Sequence, residues 1–288
     1  MAGSTHLDQR VDDPFSHVKA PTALYDPAVA DAAYQLRYAW TGWPSRGYSF
    51  TPHSVLELIE QTKPHWERDS LRVLEYRGTD DRVQILFSAT PDITPIFVAQ
   101  RAKGRLAYAL RSAGIRVPFS RKVAVRSVGD NTRRDVEAYL ERQVAKEHFV
   151  DPQFAQRMAE LTVVNPAVDL SQPTERNRGR YWYNLHLVLV VEQHARLESW
   201  PVLTGLRDAF MRIAHRKGHA VARLSVMPSH LHAAMRAEPD TAPLEIVFCY
   251  QNNLAHLLRL GRVWSTGFYV GTFGEYSMQA VRNRVAAP

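Results

Sequence analysis

His230 and His232 flank a single leucine in the stretch His230-Leu-His-Ala-Ala-Met-Arg236, whose composition reads as a β-strand. Side chains alternate along a strand, so both imidazoles leave one face while Leu231 leaves the other. Two imidazoles placed this way can grip a metal ion. The same spacing also fits two partly buried structural histidines, and among 12 His in 288 residues such a pair has little weight alone. A second pair, Tyr139 and Gln143, lies four residues apart where the sequence predicts a helix over Thr132 to Lys146, so the two share one helix face and can enter one pocket. By themselves they also fit an ordinary tyrosine and glutamine on a solvated helix.

The elements that would carry these residues form an internal repeat. The C-terminal half reads as a strand from Tyr183 to Val191, a helix from Pro201 to Lys217, strands at Ala220 to Val226 and His230 to Arg236, a helix from Leu244 to Leu260, a short strand at Phe268 to Thr272 and a helix from Ser277 to Val285. The N-terminal half repeats the order: strand Tyr34 to Trp40, helix Pro52 to Trp66, strands Leu71 to Tyr76 and Val83 to Ser88, helix Ile96 to Ser112, strand Val123 to Ser127, then the helix bearing Tyr139. Tyr34 and Arg82 are 48 residues apart, and Tyr183 and His230 are 47. Ser127-Val-Gly-Asp-Asn-Thr precedes one last helix and Thr272-Phe-Gly-Glu-Tyr-Ser the other, each ending on a capping hydroxyl. A β-α-β-β-α-β order in each half predicts an α+β protein of two tandem ferredoxin-like units, each an antiparallel sheet with packed helices. The expected organisation is a flexible N-terminus over 1–22, one unit over 23–150, a partly helical connector over 151–180 ending in a loop at Arg176-Asn-Arg-Gly-Arg, and a second unit over 181–288.

An excess of 36 Lys+Arg over 29 Asp+Glu, a net charge of +7, favours a polyanionic partner without requiring one. The single cysteine, Cys249, excludes an internal disulfide and a cysteine zinc cluster. Residues 1–20 are polar, and the longest apolar run, Leu185 to Val191, is interrupted by His186 and too short for a bilayer. A cytoplasmic protein without membrane contact is expected.

Met227-Pro-Ser-His230-Leu-His232 resembles the Met-Pro-(Asp/Asn)-His-(hydrophobic)-His signature of the one-tyrosine HUH transposases, the family of TnpA-like insertion-sequence transposases and REP-associated tyrosine transposases. Trp264-Ser-Thr-Gly-Phe-Tyr-Val-Gly-Thr-Phe-Gly274 resembles that family's Trp-Ser-x-(Ser/Gly)-Tyr-Phe-Val-x-Thr-Val-Gly segment. A helix with Tyr-Ile-x-x-Gln should follow, yet Arg284 holds the tyrosine position, Pro288 stands where the glutamine should be, and Tyr276 comes too early. The N-terminal half has the complementary defect. Arg82-Val-Gln84 stands where the histidines would be, while Tyr139-Leu-Glu-Arg-Gln143 matches the tyrosine motif at a similar distance, 57 residues from Arg82 against 54 from His230 to Arg284.

The resemblance implies a fused pseudo-dimer, compatible with a monomer in solution, whose one composite site draws His230, His232 and Gln143 as ligands of Mg²⁺ or Mn²⁺ and Tyr139 as nucleophile. The implied activity is cleavage and strand transfer of single-stranded or hairpin DNA through a 5′-phosphotyrosine intermediate. Arg101, Lys103 and Arg105, with Arg176, Arg178 and Arg180 of the connector, are candidate DNA contacts. Two alternatives share the fold: an end-processing or covalently attached terminal protein of the same chemistry, and a catalytically inactive hairpin-binding regulator.

Overall fold

The computed structural model describes residues 23–146, 152–192 and 196–286; the segment 1–22, expected to be flexible, lies outside them. The first half contains β1 (Asp31–Gln35), β2 (Arg37–Pro44), α1 (Pro52–Arg68), β3 (Leu71–Gly78), β4 (Val83–Ala89), α2 (Pro95–Ser112), β5 (Phe119–Ser127), α3 (Arg133–Glu141) and α4 (Gln143–Lys146). The connector provides α5 (Pro152–Glu160), β6 (Val163–Val164), β7 (Thr174–Arg176) and β8 (Gly179–Trp182). The second half contains β9 (Asn184–Val191), α6 (Trp200–Arg216), β10 (Ala220–Val226), β11 (His230–Arg236), α7 (Pro243–Leu257), β12 (Trp264–Thr272) and α8 (Met278–Ala286).

Three local readings need correction. The strand expected over Tyr34 to Trp40 is two strands separated at Leu36. The helix expected from Thr132 to Lys146 divides at Arg142, the C-cap of α3. The connector does not end in an open loop: Arg176 to Gly179 forms the tight turn of the β7–β8 hairpin, with Asn177 and Arg178 both at positive φ, 47° and 67°. The turn chemistry of Asn and Gly is visible in the sequence, but β8 owes its extension to a partner strand distant in the chain.

Both sheets have six strands, in the orders β3-β4-β2-β5-β8-β7 and β1-β12-β9-β11-β10-β6. Within them β3-β4-β2-β5 and β10-β11-β9-β12 follow the same antiparallel plan. The sheets do not divide at the middle of the chain. β1 pairs parallel with β12, from Asp31 opposite Gly267 to Gln35 opposite Gly271, and β8 pairs parallel with β5, from Gly179 opposite Val123 to Trp182 opposite Arg126. The chain steps from one sheet to the other at Leu36 and again at Tyr183, both buried. Each half thereby lends its leading strand to the other's sheet.

Alternation along β11 sets the layers. Leu231, Ala233 and Met235 enter the main core with α6 and α7, leaving His230, His232 and Ala234 on the opposite face. Ala234 packs there with Ala222, Phe273, and Val136 and Leu140 of α3. The main core runs through both halves, including Trp66 against Phe87 at 5.4 Å and the stacked Phe210 and Tyr250 rings at 4.1 Å.

His219 is buried beside this stack with Nδ1 3.0 Å from the Tyr250 hydroxyl, and burial, reinforced by Lys217, lowers its pKa to about 4. In the unfolded chain it takes up a proton below about 6.5, before the folded protein does. Its effect on stability is therefore absent above that pH, grows unfavourable as pH falls towards 4 and levels off below it. The total loss is on the order of 3 kcal/mol. Urea unfolding from pH 7 to 4 should show it, and His219→Gln should flatten the dependence; an unchanged profile in the variant would rule the effect out.

Candidate active site

Helix α3 is tethered at its start. Thr132 accepts from the Asp135 amide while the Asp135 carboxylate accepts from the Thr132 amide and hydroxyl, a complete capping box. The Arg133 amide donates to the Gly274 carbonyl oxygen at 2.7 Å, and Gly129 and Thr132 bridge Ser277 and Gly274 where the two glycine loops cross. Val136 and Leu140 are buried on the histidine face of the second sheet. Arg223 of β10 donates to Glu141 at 2.6 Å and lies 4.0 Å from Glu137, while Arg133 binds Glu275 at 2.6 Å. These contacts carry the tyrosine helix of one half onto the sheet of the other. Leu140→Ala should cost about 2–5 kcal/mol in chemical unfolding, the usual range for a fully buried leucine. A loss below about 1 kcal/mol would mean that α3 is not fixed by this contact.

Tyr139, 36% exposed, stands almost perpendicular to His232 with ring centroids 5.5 Å apart, and 6.1 Å from His186. His230 and His232 meet edge to face at 4.7 Å. His186, the third residue of β9, lies diagonal to His232 across the strand pair; their rings stack at 5.3 Å, with His186 Nε2 3.0 Å from His232 Nδ1. His230 Nδ1 is 2.9 Å from the Ser229 hydroxyl. Both candidate ligands therefore have Nδ1 engaged by a neighbouring side chain. Ser225, opposite His232 in register, is fully buried, and its hydroxyl has no hydrogen-bond partner among the described residues. Burial lowers the His186 pKa to about 4, and burial followed by Asp130 raises that of Tyr269, whose ring is 5.6 Å from His186.

Gln143 is buried at the start of α4, one turn beyond Tyr139, with its amide nitrogen donating to the Tyr139 carbonyl at 3.1 Å. Its side-chain oxygen is the atom left for a ligand role. Among the described residues, no group of three or more His, Cys, Asp and Glu side chains could hold a metal. The donor set His230, His232 and Gln143 fits a divalent ion only as an uncharged, incomplete shell that needs outside oxygens such as phosphate.

Sequence reasoning missed His186, Ser225 and Arg223. The signal for His186 was present: it interrupts an apolar strand, and the period of two puts it on the same face as Val188 and Val190. Which neighbour that face meets depends on pairing register, which a single strand does not reveal. The basic candidates lie elsewhere. Arg105 clamps Asp69 through two hydrogen bonds of 2.7 and 2.8 Å, Arg101 lies over Phe97, and Lys103 donates to the Ser120 carbonyl at 2.6 Å. Arg101 and Arg105 line a cavity of about 510 Å³ between α1 and α2 with Tyr108. Arg176 pairs with Glu238 at 2.7 Å, Arg178 occupies the hairpin turn, and Arg180 lies near Glu175 and over Trp182. None of the six is part of the tyrosine–histidine cluster.

The equivalent place on the first sheet is occupied differently. Gln84 stands in the His232 position and Ala39 in the His186 position of the shared strand plan. Helix α8, which includes Arg284, packs there through Met278 and Val281 against Leu86, Val128 and Leu74. Tyr276 is 49% exposed in the loop before it.

Fold and site together define a mixed α+β protein in which a tyrosine-bearing helix covers a histidine-bearing sheet. Residues 180–287 match the family model described as "Transposase IS200 like". The second half of the chain is thus similar to IS200-like transposases. Over 127 residues, 39% of this chain and 91% of the relative, the sequence is 27% identical to the ISDra2 transposase TnpA of Deinococcus radiodurans. Among solved structures, one described as a transposase from Deinococcus radiodurans R1 shares 20% identity over 35% of this chain and 87% of its own, with a TM-score of 0.30. A REP-associated tyrosine transposase bound to a REP hairpin shares 13% identity over 36% of this chain and 62% of its own, with a TM-score of 0.29. Among the described residues, no helix is long and apolar enough to cross a membrane.

Proposed function

We propose that the chain is a metal-dependent enzyme that cuts and rejoins single-stranded DNA, built as two ferredoxin-like HUH units fused into a pseudo-dimer with one composite site. The observation that supports it most is the approach of Tyr139, from the first half, to within 5.5 Å of the His232 ring on the sheet of the second. Neither half contains both groups. The likeness of residues 180–287 to IS200-like transposases supports DNA as the substrate, and the net charge of +7 accords with a polyanion.

His230 and His232 would hold Mg²⁺ or Mn²⁺ through Nε2, with Gln143 contributing its side-chain oxygen. When bound, such an ion supplies Lewis-acid polarisation of a phosphate oxygen. Tyr139 is fixed above the pair by the α3 anchors, so that its oxygen can attack the scissile phosphorus. A tyrosyl–phosphate bond forms, the P–O3′ bond breaks, the 3′ oxygen takes up a proton and the phenol loses one. The 5′-phosphotyrosine conserves the bond for transfer to another 3′-hydroxyl.

The test incubates the full chain with single-stranded DNA carrying hairpins from the flanks of its own gene, with Mn²⁺ or Mg²⁺, and looks for an SDS-resistant adduct. Chelation and His230→Ala should each reduce it at least about 100-fold. Hairpin binding with no adduct in either metal would overturn the enzymatic reading and leave a binding regulator.

A further inference from the structure

We propose that His186 is a positioning residue that holds His232 in the tautomer able to bind a metal, without being a ligand itself. This deepens the reading of His230 and His232 as a metal-binding pair and rests on it. A neutral imidazole has one N–H and one lone pair, so the 3.0 Å contact between His186 Nε2 and His232 Nδ1 needs one ring to donate and the other to accept. If His186 donates, the proton of neutral His232 lies on Nε2, which then has no lone pair for a metal. If His232 donates from Nδ1, its Nε2 is left as a ligand. The second arrangement is the one compatible with a metal site, and it requires His186 to accept.

The surroundings favour that role. His186 is held by stacking on His232 at 21° between ring planes, with the Tyr269 ring edge to face 5.6 Å away. Gly271 lies opposite His186 in register, and a Cβ at Gly271 would overlap the Tyr269 ring and hydroxyl. Tyr269 can therefore lie over the glycine and confine His186 from the flank. The first sheet offers an internal comparison: with Gln84 in place of His232, Ala39 takes the place of His186. The accepting ring is absent where the histidine it would orient is absent.

Nitrogen-15 histidine NMR on the full chain without metal should find the His232 proton on Nδ1 and the His186 proton also on Nδ1. His186→Phe retains a stacking ring but cannot accept, and should weaken Mn²⁺ binding about 10- to 100-fold in a metal titration. His186→Gln, whose oxygen can accept, should recover most of that loss. A His232 proton on Nε2 in the wild type would overturn the proposal, as would wild-type Mn²⁺ affinity in the phenylalanine variant. The wild-type spectrum decides the tautomer even if a variant fails to fold. His232→Ala separates the two levels: if it leaves Mn²⁺ binding intact, the metal-pair reading itself fails. If it abolishes binding while His186→Phe does not, only the role of His186 falls.

Discussion

Tyr139→Phe is expected to eliminate covalent attachment to DNA, a reduction of at least about 10³-fold in adduct formation. Phenylalanine keeps the ring that faces His232 and His186 and removes only the oxygen. Stability should stay within about 0.5 kcal/mol because the side chain is partly exposed at the helix surface, and DNA affinity should change little. Tyr276→Phe, in the loop that leads to α8, should form adduct at the wild-type level. Gel quantification combined with mapping of the DNA-linked peptide distinguishes the two tyrosines. Normal adduct from Tyr139→Phe, or a linked peptide containing Tyr276, would dismantle the composite site.

The second large effect is expected on stability, at the crossing of the two glycine loops. A Cβ on Gly129 would overlap the carbonyl oxygen of Thr272, and one on Gly274 would overlap that of Ser127. Both obstacles are backbone atoms in buried strands, which cannot rotate aside as a side chain can. Neither glycine has positive φ, so the requirement is for space and not for an unusual backbone conformation. Gly129→Ala and Gly274→Ala should each cost about 1–3 kcal/mol, and valine more. Because Gly274 accepts from the first amide of α3, the Gly274 variant should also lose adduct more steeply than its stability predicts. Gly104 provides the contrast: it lies in α2 with nothing within 4 Å of the place a methyl group would take, so Gly104→Ala should stabilise by about 0.5–1 kcal/mol. Urea unfolding of the three variants measures the difference, and equal effects at the three positions would refute the close-packed crossing.

Much of this molecule is legible in the sequence because its strands and helices are locally consistent. The repeat, the strand carrying His230 and His232 and the helix carrying Tyr139 all follow from period and spacing. The approach of Tyr139 to His232 does not. It depends on Val136 and Leu140 meeting Ala222, Ala234 and Phe273, a match between surfaces distant in the chain. β1 and β8 were hidden for the same reason. Asp31 to Gln35 is mostly polar or half-exposed and has no strand pattern of its own, and it becomes extended by pairing with β12. His186 shows the limit at a single residue: its face was readable, whereas its partner required the register between β9 and β11.

The exchange of β1 and β8 also bears on self-association. An unpaired strand at the margin of a sheet invites strands from other molecules, and long, flat margins are the most hazardous. Without the exchange, the nine-residue strands β5 and β12 would each present such a margin; in this chain β8 and β1 cover them. The margins that remain are β1 with five residues, β7 with three, β6 with two, and β3, which is interrupted by a bulge and carries Arg72, Glu75 and Arg77. Shortness, distortion and charge make each a poor template. The same swap that unites the two halves thus shortens the open sheet margins and lowers the tendency of a basic chain to grow into aggregates.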